Sequence, residues 1–502
     1  MTRTFFFLSL GCLLLFSSCV KRFESKVYYA EPYRPQYHFS PDSMWMNDPN
    51  GLVFDGTSYH LFYQYHPADI VWGPMHWGHA TSSDLVHWQH QPIALYPDKY
   101  GTIFSGSAVM DLKNTSGLGT EETPPMVAIF TYHDAVGAEQ KTDNFQTQGI
   151  AFSLDKGKSW TKYAGNPVIK NPGYIDFRDP KVFWHEASSS WIMALVAGDH
   201  LQLYRSDNLI DWNLTSTFGH DMGAHGGVWE CPDLFALELN GETHWVLLIS
   251  INPGGPNGGS ATQYFLGDFD GYAFASDQNE IKWVDFGPDN YAGVTFNNTP
   301  NDERIFIAWM NNWSYAQNTP TTQWRSASTL PRELSLFEAT DGVRLQNRPI
   351  AALEQLIIPT EIRFKKDKEG TYVELPLNQS FISLDGASAN AEFLVSSSAK
   401  EQIRFTINRN TQKIIIDRSS SGEVQFSEAF TAPIELDISA IGSETLTLDL
   451  WIDTSSVELF INEGKVSATF QYFSNEPISR LHYEAVDGGV TVKQIAEVKG
   501  IW

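Results

Sequence analysis

Hydrophobic positions along the chain fall in short runs, mostly of four or five residues, separated by polar turns. Gly51–Phe54 is followed by Tyr59–Tyr63, Ser107–Met110 by Met126–Phe130, and Lys181–Trp184 by Trp191–Leu195. Asp233–Ala236 then precedes Trp245–Ile249, and Gly293–Phe296 precedes Ile305–Trp309. Apolar or alternating runs of this length, bounded by turn residues, predict strands. No segment carries a sustained helical period with caps, which argues against an α/β barrel. The pairs recur as units, and a polar turn leading to a Trp marks the units: Ser83–Trp88, Ser153–Trp160, Ser206–Trp212 and Ser276–Trp283. From Trp88 to Trp160 to Trp212 to Trp283 the spacings are 72, 52 and 71 residues. These are long for a solenoid and suit a four-stranded blade with loops. Five such units predict an all-β fold, a five-bladed β-propeller that binds ligand at its axis.

The pattern changes after Arg348. Trp becomes rare, and alternating segments such as Tyr372–Leu375, Ile403–Ile407, Lys413–Ile416 and Leu446–Trp451 predict a second all-β unit, a β-sandwich. The expected propeller spans residues 37–348 and the sandwich 359–502. Residues 349–358 form the linker, with a short helix expected at Ala351–Leu356.

The N-terminus is read as a targeting segment. Arg3 precedes an apolar run, Phe5–Phe16, too short to span a bilayer as a mature helix. The run ends in Ser17-Ser18-Cys19, which resembles a bacterial lipobox: residues 1–18 are removed and Cys19 is acylated. Residues 19–36 are then a tether to the membrane, on the periplasmic face or the cell surface. No acidic run follows Cys19, and Val20-Lys21-Arg22 turns the reading toward the periplasm. Cys12 leaves with the signal, so Cys231 has no intrachain disulfide partner. Formal charge is −25, and removing Met1–Ser18 takes away one Arg and no acid, giving −26. Such a chain is a poor nucleic-acid binder, because that affinity comes from neutralising phosphates. A neutral polymer suits it better. Aromatic residues make up 14% of the chain, with 16 Trp, which fits a large β core and also sugar stacking.

The unusual residues stand at the start of each propeller unit. They are Trp45–Gly51, Phe104–Ser107, Phe177–Pro180, Trp229–Pro232 and the plainer Tyr291–Gly293. Inner strands line a propeller's channel, so Asp48, Asp179 and Glu230 should converge at one end of it. Pro49, Pro180 and Pro232 beside them mark strand starts that need no ladder donor. A lone Asp-Pro or Glu-Cys-Pro is more often a turn. Three acids at equivalent points of a repeat suit glycoside cleavage, in which one carboxylate attacks or activates water and another protonates the leaving oxygen. Their crowding would raise the pKa of one of them.

These segments, in this order, resemble glycoside hydrolase family 32, the invertases, inulinases and levanases. Trp72–Ala80, Trp309–Trp313 and Ser456–Gly464 resemble further segments of that family, so the likeness runs from about His38 to Gly464. The resemblance implies a retaining hydrolase that releases fructose from levan, inulin or sucrose through a fructosyl-enzyme intermediate. Asp48 is then the nucleophile, Glu230 the acid/base and Asp179 the transition-state stabiliser, with Arg178 tuning their charge. Asn47, Gln64, Trp72, Phe104, Ser105, Ser107 and Trp313 line the fructose subsite. Retention implies carboxyls about 5–5.5 Å apart.

The expected partners are a fructan polysaccharide or oligosaccharide and, through lipid, the membrane; no cofactor or metal is called for. Exo action is the expectation, with an endo-acting open cleft, a fructosyltransferase and a non-catalytic glycan-binding lipoprotein as alternatives. Cys231 is expected to be a buried small hydrophobe. His60, His66, His76 and His79 lack a compact metal spacing, and the Gly-rich Asn252–Gly259 stretch is expected to be a mobile loop at the channel mouth.

Overall fold

In the computed structural model, the structure describes residues 29–366, 368, 370–376, 379–483 and 489–502. Cys19 and the expected signal segment, residues 1–18, lie outside the described residues. Five antiparallel sheets hold residues 44–349, each winding outward from an inner strand. The inner strands are Met44–Phe54, Thr102–Met110, Phe177–His185, Val228–Leu239 and Tyr291–Thr295. A short strand, Trp324–Arg325, lies in the chain between the second and third strands of the fifth blade and pairs in parallel with Met44 and Trp45 of the first. This closes the ring and removes an open edge.

Inner strands begin several residues earlier than the hydrophobic runs suggest. Met44 rather than Gly51 opens the first, and Val228 rather than Asp233 the fourth. The Pro residues therefore lie inside strands, not at their starts. Each inner strand carries a one-residue bulge where its Pro or Gly falls. The register jumps between Met46 and Pro49, Ile103 and Gly106, Glu230 and Asp233, and Tyr291 and Val294, and in blade three opposite Ala194 and Val196. A bulged residue needs no ladder partner, so a missing N–H costs little there.

The repeated turn also has a physical cause. Asp84 Oδ1 accepts from the backbone of Val86 and His87, Asp155 Oδ1 from Ser159, and Asn208 Oδ1 from Ile210 and Asp211. Ser82, Ser153 and Ser206 brace the turns from two positions earlier. The true frame is thus Ser-x-Asp/Asn, and Leu85, Lys156 and Leu209 take the left-handed conformation within it.

Beyond the propeller, a 3-10 helix at Ala351–Leu356 buries Leu353 and Leu356 and leads into two further sheets. One has six strands and the other seven, and they face each other across a core of Ile, Leu, Val and Phe. Trp451 packs inside against Phe381 and Tyr37. Residues 29–36 are bound into the fold. Tyr29 stacks on Trp502 at 4.0 Å, and Arg34 is fully buried. The Asn252–Gly259 loop is pinned to the sandwich, where Asn257 exchanges hydrogen bonds with the backbone of Glu435 at 3.0 and 2.8 Å.

Candidate active site

The bulges aim the unusual side chains. Asp48, Ser105, Asp179 and Cys231 all lie within them, at one end of the channel. Asp179 and Cys231 adopt φ of 66° and 44°, and Ala292 of the fifth blade 54°. Left-handed backbone at non-glycine residues costs about 1–2 kcal/mol each. Here it turns side chains from neighbouring blades toward one point.

Asp48 is held at both oxygens. Ser105 Oγ donates to Oδ2 at 2.7 Å and Asn47 Nδ2 to Oδ1 at 3.0 Å. Asn47 is itself oriented by Trp45 Nε1, which donates to its Oδ1 at 2.7 Å. Burial, then the nearby charge of Glu230, keeps the Asp48 carboxyl above the usual aspartate range. Glu230 is held as firmly. Arg178 donates to Oε1 from Nε at 3.2 Å and Nη2 at 2.9 Å, and the Tyr291 hydroxyl donates to Oε2. Asp179 Oδ2 accepts from the Cys231 amide at 3.0 Å. Burial pushes the Asp179 carboxyl up to about 7, with Arg178 opposing and Glu230 and Asp48 reinforcing. Burial pulls on Arg178 too, but Glu230, Asp176 and Asp179 outweigh it and keep the guanidinium charged.

Cys231 sits between two of the acids. Its Sγ lies 3.6 Å from Oδ2 of both Asp48 and Asp179, and burial beside these carboxylates drives the thiol far above its usual range. A protonated thiol here is a weak donor shared by two acids rather than a nucleophile.

The other candidates fall into two groups. Trp72 is 40% exposed at the rim and meets Phe104 edge-on at 6.1 Å. Phe104 stacks on His133, which burial and the Arg178 charge push down to about 4, so this wall stays neutral. Trp313 is half-buried against Trp45 and Trp309. Gln64 and Ser107, by contrast, lie in the floor. Gln64 Nε2 donates to Asn50 at 2.7 Å, while Ser107 Oγ donates to the Pro180 carbonyl and accepts from Val182 N, both at 2.9 Å. Their polar groups brace adjoining strands. Among the described residues no group of His, Cys, Asp and Glu side chains is arranged to hold a metal ion.

The profile of the glycosyl hydrolases family 32 N-terminal domain matches residues 38–349, and that of the family 32 C-terminal domain residues 346–499. The chain belongs to glycosyl hydrolase family 32. Family 32 relatives include a levanase of Bacillus subtilis, 45% identical over 95% of this chain and 72% of the relative. An extracellular exo-inulinase of Aspergillus niger is 40% identical over 94% of this chain and 95% of the relative. Among solved structures, the exo-inulinase of Aspergillus awamori superposes with a TM-score of 0.84 at 37% identity, covering 94% of this chain and all of that one. Fructofuranosidase of Schwanniomyces occidentalis complexed with fructose gives 0.82 at 33%, over 94% and 100%. The protein is therefore a glycoside hydrolase built as a β-propeller followed by a β-sandwich.

Within this family 32 site, Tyr291 is the residue that sequence reasoning passed over. Its segment is the plainest of the five unit starts. Yet it stands just before its bulge, as Glu230 and Arg178 do before theirs, and the repeat itself marks all three as channel-facing.

Proposed function

We propose that the protein is an exo-acting β-fructosidase that releases fructose from levan- and inulin-type fructans, and from sucrose, with retention of configuration. Asp48 attacks C2 of the terminal fructosyl unit as the bond from C2 to the leaving oxygen breaks, and Glu230 gives that oxygen its proton. Water then adds to C2, Glu230 takes one of its protons, and the ester to Asp48 is released. Asp179 holds sugar hydroxyls and steadies the positive charge that develops at C2. Asn47, Ser105 and Trp313 adjoin the fructose ring, and Trp72 and Phe104 wall the rim; Gln64 and Ser107 act through the floor. The observation that carries this reading is the facing pair: Asp48 fixed by Ser105 and Asn47, and Glu230 fixed by Arg178 and Tyr291. Relatives named levanase and exo-inulinase support the substrate class.

Asp48→Ala and Glu230→Ala should each abolish sugar release in a folded protein. Near-normal activity in folded Asp48→Ala would falsify the assignment. Product analysis on levan, inulin and sucrose should show free fructose from the first minutes. Early fructo-oligosaccharides would make the enzyme endo-acting, and elongated products a transferase.

We also infer that Cys19 carries lipid and holds the enzyme to the cell envelope. The ten residues from Cys19 to Tyr29 reach at most roughly 35 Å, so the propeller would work close to the membrane. The apolar run ending in Ser17-Ser18-Cys19 supports this. Labelled palmitate should enter the wild type and not Cys19→Ala; equal labelling of both would exclude it.

A further inference from the structure

Blade one carries a row of aromatic residues that leads outward from the carboxylates. Strand register fixes it. Met46, two residues before Asp48 on the inner strand, pairs with Tyr65 on the second strand, and Tyr65 pairs with His76 on the third. Trp77 pairs with Leu95 at the end of the outermost strand, which brings Tyr96, the next residue, opposite His76. The His76 and Tyr96 rings meet edge to face at 5.5 Å. With neighbouring strands about 4.8 Å apart, Tyr96 stands roughly 14 Å outward from the inner strand. Trp72 lies in the loop between the second and third strands and joins this row to the pocket rim through its contact with Phe104.

Tyr96 is 54% exposed, more than Trp72, yet both rings stand on fixed backbone. In the Trp72 loop, His66 Nδ1 donates to the Val71 carbonyl at 2.9 Å, and Gly73 packs so closely that a Cβ there would come 2.4 Å from the His66 ring. The Met75 carbonyl accepts from the Ile103 amide of blade two at 3.0 Å. In the Tyr96 turn, Asp98 and Gly101 exchange backbone hydrogen bonds at 3.1 Å. Asp98 Oδ2 accepts from the Tyr132 hydroxyl at 3.0 Å and from Lys162 Nζ at 2.7 Å, and Lys162 also donates to the Tyr96 carbonyl. Rings held in place before binding lose little freedom when a ligand arrives.

The row's chemistry suits a neutral chain bearing hydroxyls. His76 Nδ1 lies 3.0 Å from the Pro74 carbonyl, which can only accept, so Nδ1 donates. Burial holds this imidazole below the ordinary histidine range, so the neutral ring keeps Nε2 as an acceptor for a sugar hydroxyl. Trp72 and Tyr96 offer apolar faces to the C–H face of a sugar, and Tyr96 adds a hydroxyl. Of the charges beside the row, Lys162 is matched by Asp98, and Lys99 lies over the Tyr100 ring. Val136 and Ile175, exposed elsewhere at this mouth, are aliphatic and offer no ring. We propose that Trp72, His76 and Tyr96 form a track along which a fructan chain lies while its terminal unit is cleaved at the carboxylates. This rests on the hydrolase reading above, because the leaving part of the substrate is what the track holds. Sucrose, with a single sugar beyond its fructosyl unit, ends short of Tyr96.

Initial rates of the full chain on long levan or inulin and on sucrose test the track. Tyr96→Ala should raise KM for the long fructan about 3- to 10-fold at nearly unchanged kcat. Its sucrose kinetics should match the wild type, which also reports an intact pocket in the same preparation. Tyr96→Phe keeps the ring and should restore most of the lost affinity. A wild-type KM for fructan in Tyr96→Ala, or a KM for sucrose raised by the same factor, overturns the track and leaves the hydrolase reading standing. A wild type that turns over no fructan overturns both.

Discussion

At the scale of single residues, the acids differ through what surrounds them. Asp48 and Asp179 are both held above the aspartate range, mainly by burial, the second at about 7. In the proposed mechanism both must be ionised, Asp48 to attack C2 and Asp179 to stabilise its charge. The acid limb of kcat/KM, which reports the free enzyme, should therefore lie between the ordinary value near 4 and about 7. A rate that stays flat down to pH 4 would exclude this. Ser105→Ala removes a donor that favours the Asp48 carboxylate, so its pKa rises further and the limb should move to higher pH. A hydrogen bond to a charged group is worth about 1.5–3 kcal/mol, so kcat/KM near neutrality should fall about 10- to 100-fold. Tyr291→Phe should cost kcat by a similar factor and change KM little, since the hydroxyl touches Glu230. A rise in KM at unchanged kcat would instead mean that Tyr291 binds substrate.

At the scale of elements, the bulges decide what the inner strands can do. Gly106 stands between Ser105 and Ser107, and a Cβ there would lie 2.1 Å from the carbonyl oxygen of Ile129. Backbone cannot yield as a side-chain tip does, so Gly106→Ala should destabilise by about 1–3 kcal/mol. It should also displace Ser105 and cut activity. A variant with wild-type Tm and rate would show that the second blade has slack. These bulges were only half legible in the sequence. The apolar runs located the strands and, taken in pairs, counted the blades. Pro and Gly, however, read as breakers, and only pairing with the neighbouring strand shows that Pro180 and Pro232 sit inside one. The three acids were visible because carboxylates at repeat positions are unusual. Tyr291 was not, because an aromatic at a strand start looks like core. The buried hydrogen bonds of Gln64 and Ser107 depend on which face a strand presents, and composition carries no trace of that.

At the scale of the whole molecule, the propeller and sandwich are joined through buried charge. His38 lies between two sandwich acids, with Nδ1 2.8 Å from Asp453 and Nε2 2.9 Å from Glu458. Arg332, on the fifth blade, holds Glu458 from the other side and also Asp285. The Asp453 carboxylate further accepts from the backbone of Gln36, Tyr37 and His38. Burial opposes charge on His38, but the two acids overcome it and lift its pKa from 6.5 to about 9. A group whose pKa is raised by folding binds its proton more tightly in the native state. Its contribution is complete below about 6.5 and is lost as pH climbs through about 9. The shift corresponds to roughly 3 kcal/mol. Stability measured by urea unfolding should therefore decline by an amount of that order between pH 6.5 and 9.5. His38→Gln keeps a polar side chain but cannot titrate. It should be less stable at pH 6 and lose most of the decline across that window. An equal decline in both proteins would mean that His38 is neutral in the fold and that Arg332 alone faces Asp285, Glu458 and Asp453. In that case the seam would hold two uncompensated buried carboxylates, and Asp453→Asn should stabilise the protein rather than weaken it.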